Sequence, residues 1–277
     1  MGQATLSRTL EGARVVVFPL VGGLLVFWFH EAPRHYALVN LTAFALGLLA
    51  IAFARIPKKA NTLTGIGIVL VCLLALPILT GPSLDGVTRW LPLGPLKLHS
   101  GMLVIPMLAA IAIRLGKRGW WILAAAMIAS VAQPDAASVL ALSLASFALV
   151  HLSKDWRPLA VGAAGLPLTY LASTRGDLPA VEFVEAIVPM LWVEMDLKAQ
   201  AIGLAALLLA PILYLTKYNK ARLDTALAVA ASYCGFLAMS FIGDYPVPLA
   251  GYGAASILGL MLGIAMIAPA QSQSNSR

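Results

Sequence analysis

Hydrophobic runs long enough to enter a hydrocarbon core of about 30 Å recur along the whole chain, at residues 15–29, 36–54, 62–80, 101–113, 119–132, 136–150, 158–173, 199–216, 223–242 and 249–268. The repetition predicts an all-α polytopic membrane protein with about ten transmembrane helices. Two of the runs, 101–113 and 119–132, are short for a full crossing. The charges between the runs alternate in sign from one connection to the next. One alternate set of connections holds fourteen of the 19 lysines and arginines, including Arg8, Arg14, Arg55, Arg114, Lys217 and Arg222. The other set holds Arg34, Arg89, Lys97, Arg175 and Lys198. Acids divide the opposite way, with only Glu11, Asp155 and Asp224 on the basic side. Basic loops stay in the cytoplasm, so the basic side and both chain termini are expected there.

Composition agrees with this pattern. Hydrophobic residues make up 60% of the 277 positions and charged residues 11%, and the mean hydropathy is +0.88; an ordinary soluble domain is excluded. The formal net charge of +7 sits in short inner loops, where topology and anionic lipid headgroups explain it better than nucleic acid does. Cys72 and Cys234 fall inside spans, without a nearby second sulfur, and read as packing residues. Residues 1–270 read as a single integral membrane domain and 271–277 as a disordered cytoplasmic tail. The first apolar run lacks a clear cleavage site and is expected to remain as a span. There is no GxxxxGK[ST] phosphate loop or dinucleotide fingerprint, so no nucleotide is expected. The long connections, 81–100 and 174–198, both fall on the outer side, and chemistry is expected there. Within the second, 181–198 carries two carboxylates and a proline and reads as an interfacial or re-entrant helix with Trp192 at headgroup depth.

Four groups of residues are candidates for chemistry. Arg89 beside Trp90 suits a phosphate at the membrane surface, the guanidinium forking onto its oxygens while the indole anchors the loop; a plain interface anchor fits equally. Gln133-Pro134-Asp135 reads as the start of a helix, with Asp135 favoured near the first turn, although an ionisable group at a span end also suits a functional role. Asp177, Glu182, Glu185, Glu194 and Asp196 form an acidic outer segment. Such carboxylates serve as a general base or hold a divalent ion, and Glu182 and Glu185 share a helix face at this spacing. Residues 245–256, rich in Pro, Gly and Ala, suit a turn followed by close helix packing. His30, His35, His99 and His151 show no metal-ligand spacing.

In this order and with this topology, these pieces resemble the SEDS family (shape, elongation, division and sporulation), the FtsW/RodA-like peptidoglycan glycosyltransferases, with ten spans and both termini cytoplasmic. The family's Gly-x-x-Arg-Trp-x-x-Leu-Gly loop is matched by Gly86, Arg89, Trp90, Leu93 and Gly94. Its Gln-Pro-Asp-x-Gly-Thr turn is matched by Gln133, Pro134 and Asp135, with Ala137 and Ser138 in place of Gly-Thr. Its closing Pro-Leu-Pro-Phe-x-Ser-Tyr-Gly-Gly-Ser-Ser run is similar to Pro246, Pro248, Tyr252, Gly253 and Ser256. A short deletion after Leu178-Pro179 places Glu182 where the family keeps an essential outer-loop Asp. Two departures stand out. The family's Phe-Gln-Pro-Ser-Glu-x-x-Lys is here the stretch from Leu98 to Ile105, without the Glu or the Lys, and the outer loop after the seventh span is much reduced.

The resemblance implies a multi-pass protein of the bacterial cytoplasmic (inner) membrane that polymerises the disaccharide units of lipid II, or of another polyprenyl-diphosphate glycan, at the outer face during division or elongation. It implies Glu182 as general base or as ligand to a Mg or Mn ion. Arg89, with Lys97, would stabilise the leaving diphosphate, and Asp135 would orient these groups. Trp90, Lys97, Gln133, Tyr252 and Ser256 would contact the substrate. A class B penicillin-binding transpeptidase with a single span would be the partner. The departures leave open a degenerate relative that binds lipid-linked precursor or scaffolds a division complex. A transporter or flippase is a weaker reading, since the spans carry almost no charge.

Overall fold

A computed structural model describes residues 3–176, 178–193 and 197–267. Asp177, Glu194, Asp196 and the expected tail 271–277 lie outside the described residues. Helices or broken helix pairs stand at every expected span. The first are α1 (Gln3–Phe29), α2 (Arg34–Phe53) and α3 (Ala60–Ala75), which the short α4 (Pro77–Thr80) continues beyond a break at Pro77. A hairpin follows, β1 (Trp90–Leu93) and β2 (Leu96–His99), and leads directly into α5 (Ser100–Leu115). Next come α6 (Trp120–Ala132), α7 (Ala136–Ser153) and α8 (Arg157–Ser173). The short α9 (Ile187–Val193) precedes the pair α10 (Lys198–Leu208) and α11 (Ala210–Leu215), which is broken just before Pro211. The long α12 (Lys220–Ile242) and the short α13 (Ala254–Ala265) complete the bundle.

Among the described residues, six helices or pairs are long and apolar enough to cross a membrane unaided. The segments Trp120–Ala132, Ala136–His151 and Ala254–Ala265 are shorter. The short helices α7 and α13 pack with α5 and α12 in the buried centre, where backbone ends can find protein partners. The outer helices turn Leu38, Leu46, Ile68, Val69 and Leu213 outward, as a lipid-facing surface requires. Exposed Trp28, Phe29, Trp156 and Tyr170 lie at span ends, where aromatic rings favour headgroup depth.

Three expected boundaries are corrected. The first helix begins at Gln3 rather than near residue 15, so Arg8, Glu11 and Arg14 stand on helix α1 and not in a loop. Among the described residues of 181–198, the α-helix before Lys198 is Ile187–Val193, seven residues and too short to cross a membrane. The last span was expected over 249–268, but its helix starts only at Ala254. Leu249 and Gly253 have positive φ values of 68° and 153°, which no helix accommodates. At 12 residues, α13 rises only about 18 Å, and the chain above it is unwound.

That unwound stretch is held by specific polar contacts. Fully buried Asn40, on α2, donates to the Gly251 carbonyl at 3.0 Å and accepts from the Gly253 amide at 3.1 Å. The amides of Val247 and Tyr252 donate to the carbonyls of Val184 and Phe183. On the opposite face, Arg8 donates to the carbonyls of Ala54 and Ala265, and Arg114 to those of Pro57 and Met266. Both guanidiniums thus cap carbonyl-rich helix ends, where positive charge is favoured. The start of α1 and the end of α13 therefore lie on one side, the side that holds the basic residues. Asn40→Ala is expected to cost roughly 1–3 kcal/mol by leaving buried backbone groups unpaired. Thermal unfolding of the detergent-purified protein reads this directly, and an unchanged melting temperature would show that other contacts suffice.

Candidate functional site

The hairpin organises the outer face. Its register pairs Trp90 with His99 and Pro92 with Lys97. Side chains alternate along a strand, so Trp90, Pro92, Lys97 and His99 share one face while Leu91, Leu93, Leu96 and Leu98 share the other. The two glycines of the Arg-Trp loop are turn residues. Gly86 (φ 84°) follows Asp85 in the tight turn that bridges Leu84 and Val87, and Gly94 (φ 58°) opens the hairpin turn.

The polar face of the hairpin forms one wall of a cleft of about 70 Å³, lined further by Met102, Val184, Glu185, Tyr252, Gly253 and Ser256. Helix α5 starts at this cleft with His99 as its N-cap, and α13 starts there with Gly253. The N-cap of α7, Asp135, lies just behind, 3.6 Å from His99. Helix N-termini favour negative charge, and these ends converge toward one point on the outer side.

Behind the cleft lies a buried polar layer. Arg89 is only 1% exposed, with its guanidinium carbon 5.0 Å from the Trp90 ring and 5.1 Å from the Tyr245 ring. Its Nε and Nη1 have no hydrogen-bond partner among the described residues. Asp135 is fully buried; it accepts from the Ser138 amide at 3.2 Å and from the Ser138 hydroxyl, so it caps α7. His99 Nδ1 accepts the Met102 amide at 3.2 Å, which leaves Nε2 to carry the ring proton toward Asp135. Burial pushes the His99 pKa below its ordinary value; the nearby Asp135 opposes this and Arg89 adds to it. The ring is therefore held neutral, with Nδ1 bonded to the Met102 amide and Nε2 buried near Asp135 without a hydrogen-bond partner among the described residues. Glu185 is pushed the other way. Burial raises its pKa, against the Val181 amide, which donates to it at 3.1 Å, and the field of Arg89.

Of the expected site residues, the structure brings Trp90, Lys97, Tyr252 and Ser256 to the cleft. Ser256 also accepts the Leu249 amide at 3.1 Å, and Tyr252 stacks on Tyr36 at 3.8 Å between centroids. Arg89 and Asp135 lie in the layer behind it. Gln133 is buried away from the cleft, donating to the Leu74 carbonyl and accepting from Ser100, a contact that ties α3 to the start of α5. Glu182 is exposed and stands outside the cleft lining, whereas Glu185, three residues on, lies in it. Among the described residues, no group of three His, Cys, Asp or Glu side chains converges as a metal site, at Glu182 or elsewhere. Two participants escaped the sequence reading: His99 and the buried Asn40. His99 was set aside because only metal-ligand spacing was sought. The alternating Trp-Leu-Pro-Leu and Leu-Lys-Leu-His runs around Gly-Pro were a hairpin signal that would have placed it opposite Trp90.

A multi-pass helical bundle with an outer anion-favouring cleft is the class of protein that this geometry defines. Its fold is similar to solved structures of peptidoglycan-synthesis proteins. A chain from a structure of the coordination of polymerization and crosslinking by a peptidoglycan synthase complex matches with a TM-score of 0.63 and 16% identity, over 91% of this chain and 95% of that one. The rod shape determining protein RodA of Thermus thermophilus matches with a TM-score of 0.59 and 19% identity, over 94% of each chain. An aspartate-to-alanine mutant of that RodA matches with a TM-score of 0.56 and 18% identity, over 94% of this chain and 95% of the other. No protein-family model and no curated protein matches the sequence. The chain has the RodA fold, and the expected architecture is met at the level of fold.

The buried neutral His99 makes the protein sensitive to acid. Its folded pKa lies below its unfolded value of 6.5, so the unfolded chain binds more protons below that pH and stability falls as pH drops. A His99→Gln variant is expected to lose less melting temperature than wild type between about pH 8 and pH 5. Parallel melting curves would contradict this assignment.

Proposed function

We propose that the chain is a SEDS-type glycosyltransferase of the bacterial cytoplasmic membrane that extends glycan strands from lipid II, or a similar polyprenyl-diphosphate disaccharide, at the outer face. The observation that carries this reading is Arg89: a fully buried guanidinium with unpaired N–H groups, directly behind Trp90 and the cleft, in a protein with the RodA fold. A buried cation without a hydrogen-bonded anion is costly, and a diphosphate supplies the missing acceptors.

In this reading an acceptor sugar hydroxyl attacks the anomeric carbon of the lipid-linked donor. The bond from that carbon to the diphosphate oxygen breaks, and the diphosphate leaves with the electron pair. Glu185 takes the hydroxyl proton; its raised pKa makes it a stronger base than a surface carboxylate. Arg89, with Lys97 at the rim, stabilises the developing charge on the leaving group. Asp135 and His99 position the hairpin against α7. Glu182, given the base role by the resemblance, yields it in this reading to Glu185, because Glu182 is exposed and is not among the residues that line the cleft. Among the described residues no donor set fits a protein-built metal site, so in this reading a Mg or Mn ion would arrive on the diphosphate itself. An apolar groove of about 530 Å³ lined by Val188, Trp192, Ile202 and Phe241 continues from the Glu185 segment into the outer half of the bundle and suits a polyprenyl chain. A penicillin-binding transpeptidase is the partner this reading implies; the likeness to a chain from a peptidoglycan synthase complex supports it.

A second reading, precursor binding without turnover, is favoured by the cleft volume. About 70 Å³ admits a phosphate-sized group but no sugar ring, so turnover requires the cleft to widen. Polymerisation of lipid II by the purified protein, alone and with a transpeptidase partner, separates the two. Glu185→Gln is expected to reduce turnover by about 10²-fold or more, Arg89→Ala by a similar factor of roughly 10², and Glu182→Gln is expected to stay near wild type. Turnover should also rise with pH through the acidic range as Glu185 loses its proton. Full activity in Glu185→Gln would remove it as the base. No product from wild type, with lipid II still bound, would establish the binding reading.

A further inference from the structure

The inner face carries a second built site, remote from the outer cleft. A pocket of about 420 Å³ opens between α1 and the turn joining α11 to α12, lined by Glu11, Arg14, Tyr214, Lys217, Tyr218 and Arg222. We infer that this pocket binds the phosphate of an anionic lipid headgroup from the inner leaflet.

Arg222 is the anchor. It is 6% exposed, its Nη2 donates to Glu11 at 2.6 Å, its guanidinium lies 4.3 Å from the Tyr218 ring, and its Nε is buried without a partner. One carboxylate, Glu11, faces three cations, Arg14, Lys217 and Arg222, so the pocket keeps a net positive charge. Lys217 lies 5.6 Å from the Tyr214 ring, and both Arg14 and Lys217 are exposed at the rim, free to meet an incoming anion. Burial, reinforced by Glu11, pushes the Tyr218 pKa up to about 12, which keeps its phenol a hydrogen-bond donor. Helix α12 starts at this pocket, and its N-cap Asn219 makes no side-chain capping bond, so the positive end of the helix is open to the site. Toward the membrane the surface turns apolar: Phe18 stacks on Tyr214 at 5.9 Å, and Phe18, Val21 and Leu213 are exposed. A basic pocket on the inner side with an apolar wall on its membrane side matches an amphiphile with an anionic head. A free phosphate ion shares the head chemistry but makes no use of the apolar wall.

The test uses the full chain in a neutral detergent and reads melting temperature against ligand concentration. The probes are short-chain phosphatidylglycerol, its phosphatidylcholine counterpart and inorganic phosphate. Saturable stabilisation by phosphatidylglycerol, weakened by salt and weak or absent with the other two, is expected. Arg14→Gln with Lys217→Gln, both exposed side chains, should raise the phosphatidylglycerol concentration needed for stabilisation by about tenfold or more, measured relative to the variant's own unliganded melting temperature. Equal stabilisation by inorganic phosphate would reassign the pocket to free anions and overturn the lipid assignment. No stabilisation by phosphatidylglycerol, or an unchanged response in the double variant, would overturn the site.

Discussion

The outer site exists because the last span is not helical along its full length. At membrane depth a backbone amide or carbonyl left without a partner is expensive, so an unwound segment survives only where protein satisfies it. Asn40 does this for Gly251 and Gly253, and the Phe183–Val184 turn does it for Tyr252 and Val247. The same contacts bring Glu185 against the hairpin, since Val184 and Glu185 are fixed by the backbone that holds the unwound residues. Had α13 continued upward as a regular helix, its first turns would occupy the space where Tyr252, Gly253 and Ser256 now line the cleft. Fold and site therefore share one constraint, the pairing of the backbone between Pro246 and Gly253.

A second ordering principle runs across the membrane. On the outer side the N-termini of α5 and α13 meet at the cleft with that of α7 just behind, and Arg89 sits beneath them without a hydrogen-bonded acid. On the inner side Arg8 and Arg114 lie on the carbonyl ends of α2 and α13, so their charges are used to satisfy the protein itself. The positive-inside distribution thus has different consequences at the two faces. Inner basic residues complete helix ends or gather around Arg222, while the outer side holds few cations and buries one of them, Arg89, with two unpaired N–H groups among the described residues.

The architecture was largely legible because lipid imposes long apolar runs and the loops carry the topological charge bias. Arg89, Trp90, Tyr252 and Ser256 were legible as candidates because each sits in a motif whose order along the chain is itself information, and Lys97 because it is a rare outer-side cation. What failed was local geometry. The start of α13 was misplaced because Leu249 and the residues after it are as apolar as a span, and hydropathy does not register a positive φ. Glu182 and Glu185 were taken to share a helix face, but residues 182–186 form turns, with Phe183 at a φ of 61°, and the two carboxylates part company. Nothing local in the sequence marks Asn40, because its partners lie more than two hundred positions away.

The departures from the SEDS pattern acquire a physical sense in this arrangement. The position where that pattern has Glu is Met102, which lines the cleft, and the position of its Lys is Ile105, which is completely buried. Two apolar side chains at these positions carry no charge-desolvation penalty in a low-dielectric interior. One carboxylate and one ammonium fewer leave the local net charge the same. Arg89 remains, buried and only partly satisfied, while Asp135 is engaged by Ser138 and Glu185 by the Val181 amide. Among the described residues, Arg8, Arg114 and Arg222 each leave one buried N–H group unpaired, at Nε, whereas Arg89 leaves two, at Nε and Nη1. That larger unpaired face distinguishes Arg89 from the guanidiniums that cap helix ends, and it is the observation on which the proposed anionic substrate rests.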